Sequence, residues 1–504
     1  MKLKAIHVSL LATLVVLIGS EVIAEDKTLP FPENHKNVES PISYSDMVKF
    51  LDSVKSTDFI DVSIEGSSVE NRSLHLVHLC RGEKANPWKV FLFAQQHGNE
   101  PAGKDALIYL IKYISEQPSQ LPKDVDLYIM PMVNPDGAES GRRRNGNDFD
   151  LNRDHQLLAQ PETRTLHKIF RRIMPHVAVD CHEFTRDSRD YAKRGWLEWP
   201  LIMMDCANNP IFHPEIYKTG VRWCKQISPY MNSRNHNYIR YYLGGLPPED
   251  ELRHSTLEVD DARNGLGTYG GLSFIIESGI KRSAENPDAD LNERIDAYLD
   301  IFYQFIRNKT NRKRDMEVIE KSRSSKMSDF IPVNYFWANN GQKVSNIKVI
   351  DKENGNTIKI PTANFMQDIT VKRSVSTPSG YIIDKKHATR FKKLLEINAI
   401  SYITLEKAYN YYTERCQLIR FEDYWDDVYS RYEDRQIVER KKPENIEFEE
   451  GSIFVSLDQL FSKRAALLLE PSMLYGLYQY PEFRNLIGED KVTPVYRVIS
   501  TQKK

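Results

Sequence analysis

The sequence comprises 504 residues with a formal net charge of −1, 40% of them hydrophobic and 28% charged. That length exceeds what one hydrophobic core organises, and the ordinary composition, free of repeats and low-complexity tracts, excludes a fibrous or disordered chain. The balanced charge lacks the basic footprint of a nucleic-acid binder, and five cysteines, Cys80, Cys181, Cys206, Cys224 and Cys416, are too sparse for a disulfide scaffold. Their odd number leaves at least one thiol over, and spacing alone leaves a Cys206–Cys224 bridge open.

Residues 1–24 read as a secretory signal: basic Lys2 and Lys4, an apolar run from Leu10 to Ile18, and small Val22 and Ala24 before Glu25. The run is far shorter than the roughly 20 residues of a membrane span, and no later segment reaches that length. The expected mature protein is therefore exported, periplasmic or secreted, without a span.

Met47, Phe50, Leu51 and Val54 have helical spacing, and 60–79 alternates around Gly66-Ser67 as a hairpin. Short apolar runs follow, each ending in a chemically loaded segment: 90–94 before His97, 125–133 before Asn134, 176–179 before Asp180, and 272–276 before Glu277. Between them, 104–114 and 162–173 carry apolar residues at helical spacing. Strands alternating with helices predict an α/β domain with a mixed, mostly parallel sheet flanked by helices, whose ligands bind beyond the carboxyl ends of the strands. A helical pattern over 291–306 closes this domain, assigned to 40–307. The charge-dense stretch 308–330 reads as a linker, and 331–504 as a smaller β-rich domain of unknown role with a helix at 391–395.

His97-Gly98-Asn99-Glu100 places an imidazole and a carboxylate three residues apart. With 13 histidines, roughly one such motif is expected by chance, so its context decides: it follows an apolar strand and leads into an amphipathic helix. A catalytic zinc needs three protein ligands and an open position, and His182, at the end of Val179-Asp180-Cys181-His182, supplies the third. Glu183 should point the other way on an extended segment. The loop 141–154, rich in arginine and amides, suits binding of carboxylates and oxyanions. Glu277 follows Phe274-Ile275-Ile276, and a carboxylate with so buried an approach needs a reason.

The order of these motifs resembles the zinc metallocarboxypeptidases (family M14) over roughly 40–307. Gly66-Ser67-Ser68 with Asn71-Arg72 is similar to the family's opening turn; His97-Gly98-Asn99-Glu100, Asn134-Pro135-Asp136-Gly137, Arg144-Asn145, Asp150-Leu151-Asn152-Arg153, His182 and Glu277 follow in order. The resemblance implies one Zn2+ on His97, Glu100 and His182, Arg144 stabilising the oxyanion, Asn152 and Arg153 holding the substrate's terminal carboxylate, and Asp150 orienting His97. It also implies Glu277 as the base that takes a proton from water and returns it to the leaving amine. Tyr269 is the nearest candidate for the family's mobile tyrosine, at a spacing that departs from the pattern, and Asp260 and Asp261 are candidates for a pocket favouring basic side chains.

The expected activity is release of C-terminal amino acids from peptides. The alternatives are a murein peptide amidase acting on cell-wall peptides, a deacylase of small amino acids, disfavoured by the complete Asn152-Arg153 element, and a catalytically silent binding protein.

Overall fold

Ser43 accepts from Asp46 N and so caps the first helix, whose Met47, Leu51 and Val54 turn inward as their spacing requires. The computed structural model describes residues 38, 40–55, 57–82, 85–282, 288–341, 343–426 and 431–499. The segment read as a secretory signal lies outside them. No helix among the described residues is long and apolar enough to cross a membrane.

The chain runs α1 (Tyr44–Val54), β1 (Ile60–Ser67), β2 (Ser73–Cys80), β3 (Trp88–Ala94), α2 (Ala102–Glu116), β4 (Val125–Met130), α3 (Pro135–Glu139), α4 (Pro161–Ile173) and β5 (Val177–Thr185). It continues through α5 (Arg189–Lys193), β6 (Trp196–Glu198), β7 (Ile202–Cys206), α6 (Pro214–Ser233), β8 (Tyr238–Arg240), β9 (Tyr242–Gly244), β10 (Leu252–His254), α7 (Ala262–Gly267), β11 (Leu272–Ile280), α8 (Leu291–Arg307) and α9 (Arg312–Ser324). An eight-stranded sheet in the order β1-β2-β4-β3-β5-β11-β7-β8 forms the frame. Its centre, β4, β3, β5 and β11, is parallel, and β1, β2 and β7 join antiparallel. The α/β class and the mixed sheet are as the sequence predicts.

Both faces are covered, which is why the central strands read as continuous apolar runs rather than alternating ones. On one side β2, β3 and β11 pack with α1, α2, α6 and α8. On the other, Phe91, Phe93 and Ala178 meet Leu166, Ile169, Phe170 and Ile173 of α4.

The stretch read as a linker is not one: α9 lies within it, with Ile319 in the core and buried Asp315 accepting from Trp223 Nε1 (2.9 Å) and from Arg222 of α6. Its anchorage combines these polar contacts with only Ile319, Met316 and Val318 on the core, too few apolar residues for periodicity to disclose it.

Beyond α9 the chain is β-rich, as expected: β12 (Phe330–Ala338), β13 (Ser345–Asp351), β14 (Thr357–Thr362), β15 (Phe365–Met366), β16 (Asp368–Ser376), β17 (Gly380–Ile383), α10 (Lys385–Ile397), β18 (Ile403–Thr404), β19 (Tyr409–Glu414), β20 (Cys416–Asp426), β21 (Arg431–Arg440), β22 (Glu444–Phe448), β23 (Ile453–Ser456), α11 (Ser462–Leu469) and β24 (Val495–Val498). A six-stranded sheet, β18-β23-β17-β24-β19-β22, carries α10. This region is stitched into the first: β13 pairs with β6, and β15 with β10. One apolar cluster joins Ile211, Phe212, Leu257 and Val259 to Val333, Tyr381, Phe391 and Leu467.

Candidate metal centre

His97 follows β3, His182 lies in the buried part of β5, and Glu277 lies on β11, paired directly with His182 in the parallel register. Sheet topology thus brings together residues far apart in sequence. The loop before His97 is tightly held. Gln95 takes a left-handed φ of 59°, and Gly98 sits so close to Gly137 that an added Cβ would lie 2.0 Å from the Gly137 carbonyl carbon. Asn134 caps α3 through Gly137 N and donates to Gln96 O (3.0 Å) and Arg143 O (3.3 Å), so the Asn134-Pro135-Asp136-Gly137 turn locks two active loops against each other. Asp136 accepts from Ser68 and Arg72 and fixes the opening turn to the same knot.

The ligand-type atoms of His97, Glu100 and His182 lie within 4.8 Å of one another, all buried. Nε2 of His97 is 3.1 Å from Asp150 Oδ1, and Nε2 of His182 is 2.8 Å from Asp180 Oδ2. Each carboxylate fixes the proton on that outer nitrogen and turns the Nδ1 lone pair inward. The two Nδ1 atoms then face each other at 3.0 Å and lie 2.9 Å and 3.0 Å from the Glu100 oxygens, a convergence of acceptors that a cation satisfies. The donor set, two imidazoles and a carboxylate, fits zinc with a position left open. Glu183 N donates to Glu100 Oε2 (3.0 Å) and steadies the carboxylate, while its own side chain turns away to Ala102 N and Arg294.

The electrostatics agree with a site built for positive charge. Burial opposes charge on His182, yet Asp180 and Glu100 carry its imidazole well above the ordinary value. Glu100, despite its burial, is held well below the usual carboxylate range by His97 and His182, and Asp150 likewise by His97, Arg143 and Arg153. Glu277 goes the other way: burial pushes it to about 8, with Glu100 adding, against His182 and Arg143. Two buried carboxylates of one cleft, Glu100 and Glu277, are thus driven in opposite directions by their surroundings.

Around these groups opens a cleft lined by His97, Glu100, Arg143, Asn152, Arg153, Glu183, Asp261 and Glu277, with Phe184, Tyr241, Leu243, Ser255, Thr256, Arg263 and Ile275 also on its wall.

Residues 47–172 match the zinc carboxypeptidase family model. This part of the chain is thus similar to zinc carboxypeptidases. Over 226 residues the chain is 34% identical to carboxypeptidase 2 of Trichophyton rubrum, covering 44% of this chain and 40% of that one. Over 108 residues it is 32% identical to carboxypeptidase D of Mus musculus, covering 18% of this chain and 8% of that one. A solved metallo-carboxypeptidase from Burkholderia cenocepacia, 21% identical, aligns over 53% of this chain and 68% of its own with a TM-score of 0.42. The chain spans less than half the length of these two curated relatives.

One site residue read from the sequence lies outside the cleft lining. Arg144 is exposed, its guanidinium donating to Asp148 O (2.9 Å), and it does not line the cleft. Arg143 does, with Nε 3.0 Å from Asp150 Oδ2 and Nη1 3.4 Å from Glu100 Oε1. The backbone of Arg143 is pinned by Gly98 N and Asn134 Nδ2, and that orients its side chain inward. Asn152 and Arg153 both reach the cleft; Asn152 Oδ1 accepts from Ala262 N (2.8 Å), leaving its Nδ2 3.3 Å from His182 Nε2. Tyr269 is buried against Phe170 and Phe461, its hydroxyl 2.9 Å from His167 Nδ1, away from the cleft. Asp261 lines the cleft, but it caps α7 and pairs with Arg263 at 2.7 Å, so its carboxylate is already partnered. Asp260 Oδ2 lies 3.9 Å from Arg153 Nε. Asp180, which the sequence reading passed over, had one available signal: it sits two residues before His182 on a strand and therefore on the same face. Cys206 and Cys224 are both buried thiols, with no bridge between them.

Proposed function

We propose that the chain is a zinc-dependent metallopeptidase that releases C-terminal amino acids, working with one zinc ion in the cleft. The observation that carries this reading is the convergence of His97, Glu100 and His182 beside Glu277 in a cleft that also holds Asn152 and Arg153. Zinc bound by the three ligands supplies Lewis acidity toward the scissile carbonyl and a hydrolytic water.

The chain's own residues do the rest. Glu277, buried and paired with His182 across the strands, takes the water proton and delivers it to the leaving amine. A base lifted toward neutral pH by its surroundings is suited to both transfers. Arg143 donates to the carbonyl oxygen as it gains charge, the role the sequence reading gave to Arg144. One good donor of this kind is worth on the order of 3 kcal/mol. Arg153, with Nδ2 of Asn152, receives the terminal carboxylate, since a guanidinium fork fits that planar anion. Asp150 and Asp180 keep the two imidazoles in the ligating tautomer. Export through residues 1–24 belongs to the same reading.

The test is digestion of a mixed peptide library and of the same library with amidated C-termini, with zinc and with chelator, followed by mass spectrometry. Single-residue release from the free acids alone, stopped by chelator and restored by zinc, is expected. Equal cleavage of the amides, or no release from zinc-loaded protein, contradicts the proposal. Cleavage confined to cell-wall peptides replaces it with the murein amidase.

A further inference from the structure

At the opposite, amino-terminal end of the parallel strands stands another group of metal-ligand side chains. His78 and Cys80 are two residues apart on β2 and share one face, and Asp126 of β4 is the direct cross-strand partner of Cys80. An imidazole nitrogen, a thiol sulfur and a carboxylate oxygen from these residues lie within 4.8 Å of one another. On β1, Asp61 is paired with His78 and brings a second carboxylate to the same edge.

The imidazole is already oriented. It stacks on Tyr128, the cross-strand partner of His78, with ring centroids 4.2 Å apart and planes 2° from parallel. Its Nε2 is buried and has no hydrogen-bond partner, an uncompensated cost unless something absent from the protein atoms meets it. The cation nearest in register, Lys89, has its ammonium drawn off to Ile173 O (3.2 Å). The contrast with Asp205, Cys206 and Cys224, which also lie within 4.8 Å, is instructive. There Asp205 is committed to Arg240 (2.8 Å) and Ser255 through its carboxylate, whereas here the Cys80 thiol donates to Gly82 O (3.1 Å) with the proton that metal binding would release.

We propose that His78, Cys80 and Asp126 form a second metal site, on the far edge of the core sheet from the catalytic cleft, that binds a thiolate-preferring divalent cation of the zinc class. Thiolate, imidazole and carboxylate together select zinc or cobalt over magnesium or calcium, and the Cys80 proton is released to solvent as the metal binds. The site lies on β2 and β4, which α4 and the sheet already hold, so its role is to fasten that edge and not to take part in hydrolysis.

The thiolate makes the test specific, because the catalytic set of His97, Glu100 and His182 contains no sulfur. Full-length protein loaded with Co2+ is read by metal analysis and by near-ultraviolet absorption, where cobalt–thiolate charge transfer is intense. Wild type should hold roughly two cobalt ions per chain and show the band. His182→Ala should lose one ion and keep the band, whereas Cys80→Ser should lose one ion and the band while retaining peptidase activity. His78→Asn serves as an independent check on the same readouts. Wild type without the band, or Cys80→Ser with the spectrum and metal content of wild type, overturns the proposal. Because His182→Ala keeps the band whatever the catalytic cleft does, failure of this proposal and failure of the peptidase reading are distinguishable.

Discussion

The core sheet and the region from β12 to β24 are both built of short strands, yet they spend their side chains differently. In the core sheet every residue of β11 is buried, and the groups of ligand-type side chains found among the described residues fall between residues 78 and 224. The later region leaves Phe330, Phe336 and Val371 of its β12–β16 pair exposed and turns buried polar groups toward the first. Arg464 of α11 donates to His155 O (2.8 Å), Gly265 O (3.2 Å) and Asn398 Oδ1 (2.7 Å) and lies over the Tyr269 ring. Trp337 Nε1 donates to the carbonyl of Ser255, a cleft residue, and Asn209 donates to the Tyr335 hydroxyl. One region positions chemistry on rigid strands buried on both faces, and the other buttresses the wall of the cleft.

Breaking the buttress should cost more than trimming the cleft. Arg464→Met leaves carbonyls on both sides of the seam without donors, and should lower unfolding free energy by on the order of 4 kcal/mol in denaturant titration, with one cooperative transition if the regions fold as a unit. Two separated transitions would make the regions independent. Within the cleft, Arg143→Ala should reduce kcat about 100-fold, while Arg144→Ala should change it less than about twofold. Equal losses would contradict the inward placement of Arg143.

The seam should also respond to acid. His254 is buried between Trp337 and Phe365, and burial together with Arg240 lowers it to about 4. The folded chain keeps it neutral while the unfolded chain protonates it below its ordinary 6.5, so its contribution is intact above 6.5 and is lost as pH falls toward 4. Wild type should lose on the order of 2 kcal/mol more than His254→Asn over that interval, read from denaturant midpoints at each pH. The smallest effect is expected of Trp337→Phe, which removes the bond to Ser255 and should raise KM about threefold with kcat nearly unchanged.

Most of the core was legible in the sequence because its signals were local and redundant. Each apolar run ended in a polar group, and a parallel sheet gathers strand ends on one edge, so His97, His182 and Glu277 had to converge. The choice between Arg143 and Arg144 was not legible, since adjacent identical side chains in a loop carry no periodicity and a backbone knot with Gly98 and Asn134 decides which one turns inward. Nor was α9 legible: it is held by Asp315 on Trp223 and Arg222, contacts made by polar atoms. The seam likewise rests on Arg464 and Trp337, whose partners lie far away in the chain.

The central claim is that Glu277 is the proton-transferring base beside a zinc held by His97, Glu100 and His182, and steady-state kinetics of zinc-loaded Glu277→Gln against wild type test it most directly. The account predicts kcat lower by about a thousandfold or more, zinc content retained and KM within a few-fold. A variant that retains zinc and turns over at near wild-type rate would contradict it.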